Sequence, residues 1–337
     1  MLKMSAQSAH IRYSTTFREK IQDLARKIAF RYNKAKGDLM PKSKVYFVKT
    51  ISPQSLIKVY DALNIELKGK VAVKLHSGEK GNQNYVKPEF VKPIIEKVGG
   101  TVVECNTAYG DASGTGVRDN TESHLKLIKE HGWNKYFDVD LMDATGPDLK
   151  VPIKNGNQLK YNLLGKNIKN YDSMLVLSHF KGHPNGGYGG ALKQLSIGCA
   201  SRAGKARIHS AGKTKGRRLC WILKTRQDAF LESMADAAST VTQMFGKNIA
   251  YINMMVNLSV DCDCCSVAED PCMKDIGILA STDPVAIDQA CLDLIKSSKD
   301  PGRDHFMERV KSLNGEHTIE AAEALGIGSR KYELIKL

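Results

Sequence analysis

The order of apolar and polar positions predicts a chain of alternating strands and helices. Short apolar runs typical of buried strands occupy residues 45–48, 71–76 and 101–106. Between the second and third of these, residues 89–98 repeat apolar side chains at helical spacing and end at a pair of glycines. A strand, a helix and a further strand in this order predict a parallel βαβ unit with a right-handed crossover.

The second half of the chain repeats this pattern. Residues 172–177, 249–260 and 275–281 are apolar enough to form buried strands. Asp283 and Pro284 follow in the order preferred at the N-cap and first position of a helix. The fold class predicted is therefore α/β, with two α/β domains, mainly parallel sheets and a cleft between them.

Composition changes along the chain predict the boundaries. Residues 1–40 form a basic, amphipathic N-terminal extension, and Met40 is a second candidate for the start of translation. We expect an N-terminal α/β domain over residues 41–165 and a C-terminal α/β domain over residues 166–337. Ligand sites in such folds lie at the carboxyl ends of the parallel strands.

The net charge of +14 is concentrated in two segments. Residues 1–49 hold twelve basic and three acidic residues, and residues 201–218 hold seven basic residues and no acidic one. The second segment has no aromatic residue before Trp221, so it lacks the stacking surfaces of a single-strand binder and nucleic acid is an unlikely partner. No apolar run reaches the roughly 20 residues of a transmembrane helix, and we expect a cytoplasmic protein of undetermined oligomeric state.

A glycine-rich segment, KGHPNGGYGGALKQL, follows one predicted strand at residues 181–195. It is not a P-loop, because Lys193 precedes Gln194 rather than Ser or Thr. Four side chains able to transfer protons or bind a ligand stand on or near it: His179, His183, Lys193 and His209. Histidine titrates near neutral pH and also ligates metals, whereas a desolvated lysine can anchor a cofactor covalently. Hydrogen-bonded loop residues remain the alternative.

Half of the eight cysteines lie close together, namely Cys262, Cys264, Cys265 and Cys272. Four thiols in this interval predict a zinc or iron-sulfur site, although the C-x-C-C spacing lacks the paired C-x-x-C pattern. The alternative is a polar loop in which Asp261 and Asp263 bind backbone amides. Cys105 and Cys291 are expected in the core, and Cys199 is expected within reach of the cysteine group.

The predicted strand 71–76 contains a lysine among apolar residues. A buried Lys74 needs an anionic partner, so it becomes a candidate catalytic residue. The loop that follows adds Asn82 and Tyr85 as candidate cofactor-binding residues, together with Gly187 and Gly190 of the glycine-rich segment.

Three long segments resemble the domain-of-unknown-function family 362, whose members are often labelled iron-sulfur proteins. They begin KLHSGEKGNQNYVKP, SHFKGHPNGGYGGALKQL and DCDCCSVAEDPCMKD, and the resemblance covers residues 41–300. Many members carry a ferredoxin-like insertion after the histidine that matches His209. Here that place holds SAGKTKGRRLCWILKTRQDAF with Cys220 alone, so the iron-sulfur label is not inherited.

One of these segments also resembles the active-site segment of nickel-dependent lactate racemase. The shared spacing is ten residues from His183 to Lys193 and sixteen from Lys193 to His209. The resemblance implies that His183 is an acid/base group, that Lys193 carries a nickel-pincer nucleotide and that His209 ligates nickel. The other catalytic histidine of that family has no matching motif, although His124 and His131 lie in the corresponding region.

Two functions of different classes follow. The first is a metal- or metal-cofactor-dependent enzyme, an isomerase or oxidoreductase, that acts on a small hydroxy or carbonyl acid through histidine acid/base chemistry. The second is a redox or metal-handling protein in which the cysteine group binds an iron-sulfur cluster or zinc and serves a redox partner. Both need a metal ion, whose identity the sequence leaves open among iron-sulfur, nickel and zinc.

Overall fold

The computed structural model describes residues 42–110 and 116–337. The predicted extension over residues 1–40, with Met40, lies outside the described residues. Within them, no helix is long and apolar enough to cross a membrane.

An eight-stranded sheet forms the centre of the fold. Its strands stand in the order β12-β1-β11-β10-β7-β2-β3-β4. Only β11 runs antiparallel to its two neighbours, and the other pairs are parallel. The bounds are β1 Ser43–Val48, β2 Val71–Lys74, β3 Thr101–Glu104, β4 Val139–Leu141, β7 Ser173–His179, β10 Ile249–Met255, β11 Gly277–Ser281 and β12 Tyr332–Lys336.

Two further strand pairs lie outside this sheet. An antiparallel pair joins β5 (Leu149–Pro152) to β6 (Tyr161–Leu164). A short hairpin joins β8 (Lys181–His183) to β9 (Gly187–Gly189), so that the glycine-rich segment begins as a hairpin directly after β7.

Helices cover the sheet. In chain order they are α1 Pro53–Ala62, α2 Pro88–Val98, α3 Thr121–Glu130, α4 Ala191–Lys193, α5 Arg202–His209, α6 Leu219–Ile222, α7 Gln227–Phe245, α8 Pro284–Ser297, α9 Arg303–Ser312 and α10 His317–Ala324. The helix α4 continues as a π-helical turn over Gln194–Gly198. The Asp283 carboxylate accepts from the amides of Val285 and Ala286, which confirms the predicted start of α8.

Alternating side chains of the central strands enter two separate cores. On β7, Met174 and Val176 belong to one apolar cluster, while Leu175 and Leu177 belong to the other. This is the expected result for a sheet that is covered on both faces. The predicted α/β class with a mostly parallel sheet is therefore confirmed.

The boundary predicted at residues 165/166 falls just before β7. Strands from both sides of this boundary belong to one sheet, since β7 pairs with β2 along Val71–Lys74. The antiparallel pairing of β11 with β1 also joins the two halves, with Phe47 opposite Leu279. The positions of the domain boundaries stay a prediction.

The carboxyl edge of the sheet collects charged residues. Lys74, Glu104 and His179 are the last residues of the adjacent strands β2, β3 and β7. All three side chains are buried. Parallel strands thus bring three groups that are far apart in the sequence to one place, at the edge where α/β folds bind ligands.

Candidate functional site

A cavity of about 680 Å³ opens at this carboxyl edge. Its walls come from β2, β3, β7, the β8–β9 hairpin, helices α4 to α7 and the cysteine-containing loop after β10. Of the predicted site residues, those that line it are Lys74, His179, His183, Gly190, Lys193, His209, Cys264 and Cys265. Most of the glycine-rich and cysteine-rich candidates therefore share one site.

Close backbone packing fixes the glycine-rich segment. A Cβ atom on Gly182 would lie 2.3 Å from the carbonyl oxygen of Val260, so only glycine allows the hairpin to approach the segment that leads to the cysteines. The buried Asp288 carboxylate accepts from the amides of Ala191 and Leu192 at 2.8 and 3.0 Å. This fixes the start of α4 and with it the position of Lys193.

His183 presents a neutral ring to the cysteines. Burial and the Lys193 ammonium lower its pKa to about 4, although Cys262 opposes them. Its Nδ1 atom accepts hydrogen bonds from the amides of Asn185 and Gly186 at 3.1 and 2.9 Å. The ring proton therefore resides on Nε2, which lies 3.8 Å from the Cys264 sulfur.

Cys262 is held as a thiolate. Burial raises its pKa, but the hydrogen bond from Cys264 and the charge of Lys193 outweigh burial, and the pKa falls well below that of an ordinary thiol. The Lys193 Nζ atom donates to the Cys262 sulfur at 2.9 Å. Cys264 has a raised pKa because its single thiol proton is shared with the Cys262 and Cys265 sulfurs and because it is buried, so it stays protonated. The site thus contains an ammonium–thiolate pair beside a neutral imidazole.

The ligand atoms of His183, Cys262 and Cys264 all lie within 4.8 Å of one another. Over residues 42–110 and 116–337 this is the one group of three or more such side chains with that geometry. Two sulfur donors suit a soft or borderline ion such as zinc, iron or nickel. The His183 imidazole is less suited to bind a metal ion. A metal-bound histidine normally donates its other ring N–H, whereas Nδ1 of His183 accepts two hydrogen bonds.

His179 is held by oxygen atoms on both sides. Its Nδ1 atom lies 2.7 Å from an oxygen of Asp263 and its Nε2 atom lies 2.6 Å from the carbonyl oxygen of Val256. The second oxygen of Asp263 accepts from the Lys181 ammonium at 2.5 Å. Sequence reasoning assigned Asp263 to backbone amides; its carboxylate instead joins β7 and β8 to the cysteine loop. The predicted catalytic role of His179 stays a prediction, and the geometry gives its ring a positioning role.

An ionic network that the sequence did not reveal forms another part of the wall. Arg118 donates to Glu79 at 3.0 Å and lies 3.6 Å from Glu104, and all three side chains are almost fully buried. His124 lies 3.3 Å from the same Glu104 oxygen. Burial raises the pKa of Glu104, but His124 and Lys74 reverse this and lower it well below the usual value. In the sequence, the one sign of this network was Glu104, a glutamate at the end of an apolar strand.

The remaining predicted cofactor-binding residues support the site from outside the cavity. The Asn82 amide donates to the carbonyl oxygens of Cys262 and Cys265, which holds the cysteine loop. Tyr85 stacks on His131 at 4.5 Å, and Gly187 adopts a φ of 79° in the hairpin turn. None of Asn82, Tyr85 and Gly187 is among the lining residues. Their binding of a cofactor stays a prediction.

The predicted metal ligands separate into two groups. Cys262 and Cys264 belong to the three-residue group, whereas His209 lies between Trp221 and Phe230, with ring centroids 4.6 and 4.8 Å away. Burial lowers the pKa of His209 to about 3, with help from His183 and Lys193. The Cys272 thiol donates to the carbonyl oxygen of Leu258 and lies outside the group, as does Cys265.

An α/β protein with a mostly parallel sheet and a ligand cavity at its carboxyl edge is the class that these features define. The family described as "Domain of unknown function (DUF362)" matches residues 71–293, more than half of the chain. The chain belongs to this family, which confirms the resemblance seen in the sequence. No curated protein is significantly similar to it.

Two solved structures are similar to part of the chain. One is the lactate racemase apoprotein from Thermoanaerobacterium thermosaccharolyticum, with 12% identity and a TM-score of 0.36 over 64% of this chain and 52% of that protein. The other is a protein from Thermotoga maritima, with 10% identity and a TM-score of 0.41 over 77% of this chain and 58% of that protein. The chain thus spans little more than half the length of either.

Proposed function

We propose that this protein is an enzyme that transfers a proton on a small organic acid, with His183 as the acid/base group and a soft metal ion or metal cofactor held by Cys262 and Cys264. The observation that supports this most is the meeting of the glycine-rich and cysteine-rich segments in one cavity. Neither segment alone supplies both a proton carrier and soft ligands.

Cys262 is already in the form that its role needs, whereas the Cys264 thiol loses its proton when the metal binds. His183 is neutral with its proton on Nε2, so it first donates a hydrogen bond to a ligand oxygen. It acts as a base at Nε2 once its proton has moved to Nδ1, which gives up the contacts with the Asn185 and Gly186 amides. Cys262 is a thiolate, the form of cysteine that binds a metal. A metal ion bound there would polarise a substrate oxygen as a Lewis acid. Lys193, kept protonated by Cys262, holds the thiolate; the covalent anchoring predicted for it would need the free amine.

The test separates proton transfer from metal binding. Anaerobically purified protein is incubated in deuterated water with a panel of 2-hydroxy and 2-oxo acids, and NMR measures deuterium uptake beside the carboxylate. We expect His183→Gln to lower the uptake by roughly 10²–10⁴-fold while the metal content stays the same. The exposed His305, changed in the same way, is the matched control and should keep full uptake.

Metal analysis of cysteine variants completes the test. Cys262→Ser and Cys264→Ser should lose the metal, whereas Cys272→Ser, which changes a thiol outside the group, should keep it. If His183→Gln leaves deuterium uptake intact while Cys264→Ser removes the metal, the enzyme proposal is wrong. Broad visible absorption bands in that case would favour the redox or metal-handling function, with an iron-sulfur cluster at the cysteines.

A further inference from the structure

Two buried lysines in the cavity wall have no carboxylate in direct contact, although Glu104 acts on Lys74 and Lys205 acts on Asp143 from a greater distance. Lys74 and Lys205 are 2% and 5% exposed, and both side chains line the cavity. Each ammonium donates to a single backbone carbonyl, Lys74 to Leu75 and Lys205 to Ala200. Across residues 42–110 and 116–337, neither has a carboxylate oxygen within 4.0 Å. An ammonium group has three protons, so both keep donors for a ligand.

The backbone makes room for this pair. A Cβ atom on Gly198 would lie 2.7 Å from Cε of Lys74 and 2.8 Å from Oε1 of Gln194, so glycine is required where the Lys74 side chain reaches the cavity. Burying an ammonium with no carboxylate in direct contact is unfavourable, and the nearby Glu104 is also contacted by Arg118 and His124. An anion bound between the two lysines would supply the direct contact that both ammonium groups lack. The geometry therefore describes an anion subsite.

An apolar wall begins one helical turn from this subsite. Lys205 and His209 are four residues apart on α5, so they share one helix face. The ring of His209 stacks on Phe230 and lies tilted against Trp221. Phe230 packs in one apolar cluster with Met234 and Ile197, and all of these residues line the cavity.

The cavity volume argues against a very small ligand alone. At about 680 Å³ it lies within the roughly 300–1,000 Å³ typical of cavities that enclose drug-sized molecules. A three-carbon acid held by the lysines would leave the apolar wall in contact with water. Burial of apolar surface on a ligand would instead contribute to binding.

We propose that the ligand of this site is an amphipathic organic acid, with its carboxylate between Lys74 and Lys205 and its apolar body along Ile197, Phe230 and Met234 beside Trp221. This inference rests on the proposed function in one respect only: it takes this acid to be the substrate of the proposed enzyme. The subsite itself is defined by the lysine pair and the apolar wall.

Binding of three simple probes tests it with the full-length protein. Octanoate has both parts, acetate has the carboxylate alone, and octanamide has the apolar body alone. Calorimetry and the fluorescence of Trp221 report binding. The other tryptophan, Trp133, is 1% exposed, and the Trp221→Phe variant shows how much of the fluorescence change comes from Trp221. We expect octanoate to bind at least about tenfold more tightly than either of the other two probes.

Variants of the two walls locate the binding. Lys74→Met and Lys205→Met should each weaken octanoate about tenfold and abolish its advantage over octanamide. Met234→Gln should reduce the preference of the protein for octanoate over acetate. Lys92→Met changes an exposed lysine and should have no effect. Thermal unfolding of each variant separates a loss of binding from a loss of folding.

Three results would overturn the inference: equal binding of octanoate and acetate, an unchanged preference for octanoate over octanamide in Lys74→Met, or inorganic phosphate binding as tightly as octanoate. The same titration with His183→Gln keeps this test separate from the proposed function. If that variant binds octanoate normally but wild-type protein shows no proton transfer, the subsite stands and the proposed chemistry fails.

Discussion

Two buried ionic clusters contribute to the cavity wall, and they differ in the kind of anion that they hold. In the first, Arg118 joins the carboxylates of Glu79 and Glu104. Glu79 also accepts from the amides of Lys80 and Val117, so its carboxylate is held in place by several hydrogen bonds. In the second, Lys193 faces the thiolate of Cys262.

The difference lies in how easily each anion can lose its charge. An ordinary carboxyl group has a pKa of about 4 and an ordinary thiol one of about 8.5. At neutral pH a thiolate that loses its partner takes up a proton. A carboxylate in the same situation remains charged, or becomes neutral at a large cost in free energy. The first cluster is therefore expected to stabilise the fold, and the second to provide a group that changes its protonation state readily.

Removing Arg118 should have the largest effect on stability. Arg118→Met leaves Glu79 and Glu104 buried without their cation, and we expect the free energy of unfolding to fall by about 3–5 kcal/mol, measured by urea denaturation. Arg217→Met is the matched control: Arg217 pairs with Asp119 but is about one-third exposed, so its loss should cost at most about 1 kcal/mol. Equal losses in the two variants would contradict the structural role of the buried network.

The next effect concerns His183 and appears in the pH dependence of stability. Its pKa is about 4 when folded and about 6.5 when unfolded. Above pH 6.5 the ring is neutral in both states and stability is unaffected. Between pH 6.5 and 4 the unfolded state binds the proton first, so the free energy of unfolding should fall by up to about 3 kcal/mol. In His183→Gln this part of the pH dependence should be absent.

His317 provides a control of opposite sign. Hydrogen bonds from its ring to Glu232 and Glu320 raise its pKa to about 9. Its stabilising contribution should be complete below pH 6.5 and should disappear as the pH rises from 6.5 through 9. If His317→Gln and His183→Gln change the stability curve over the same pH interval, the assigned environments of the two rings are wrong.

The sequence predicted local structure well where one segment contains all of the information. The apolar run of β2, the helix that follows it and the Asp283–Pro284 start of α8 depend on residues close together in the chain. The pairing of β1 with β11 joins Tyr46 to Ala280, and strand periodicity carries no information about such distant partners. The single sheet across the two halves was therefore not foreseeable.

For the candidate site, too, the sequence identified local features but not the partners of residues that are distant in the chain. The Gly-rich segment and the cysteines were found because their residue types are unusual, and the structure places His183 beside Cys264. Lys74 was singled out because a buried lysine needs an anion, but its ammonium bonds only to the carbonyl of Leu75. Arg118 escaped notice, and the partners of Asp263 were not foreseen, because a single charged residue in a polar loop gives no sign of its partner.

The smallest expected change in stability tests the second cluster directly. In Lys193→Met the thiol of Cys262 can take up a proton at neutral pH, so no buried charge remains unpaired, and we expect a loss of less than about 1 kcal/mol in the free energy of unfolding. The thiolate ultraviolet absorbance of metal-free protein should fall at the same time, because the pKa of Cys262 rises without the ammonium. Cys262→Ser identifies this absorbance. A loss as large as that of Arg118→Met, with the thiolate absorbance retained, would mean that the sulfur remains charged without Lys193 and that the two clusters do not differ in kind.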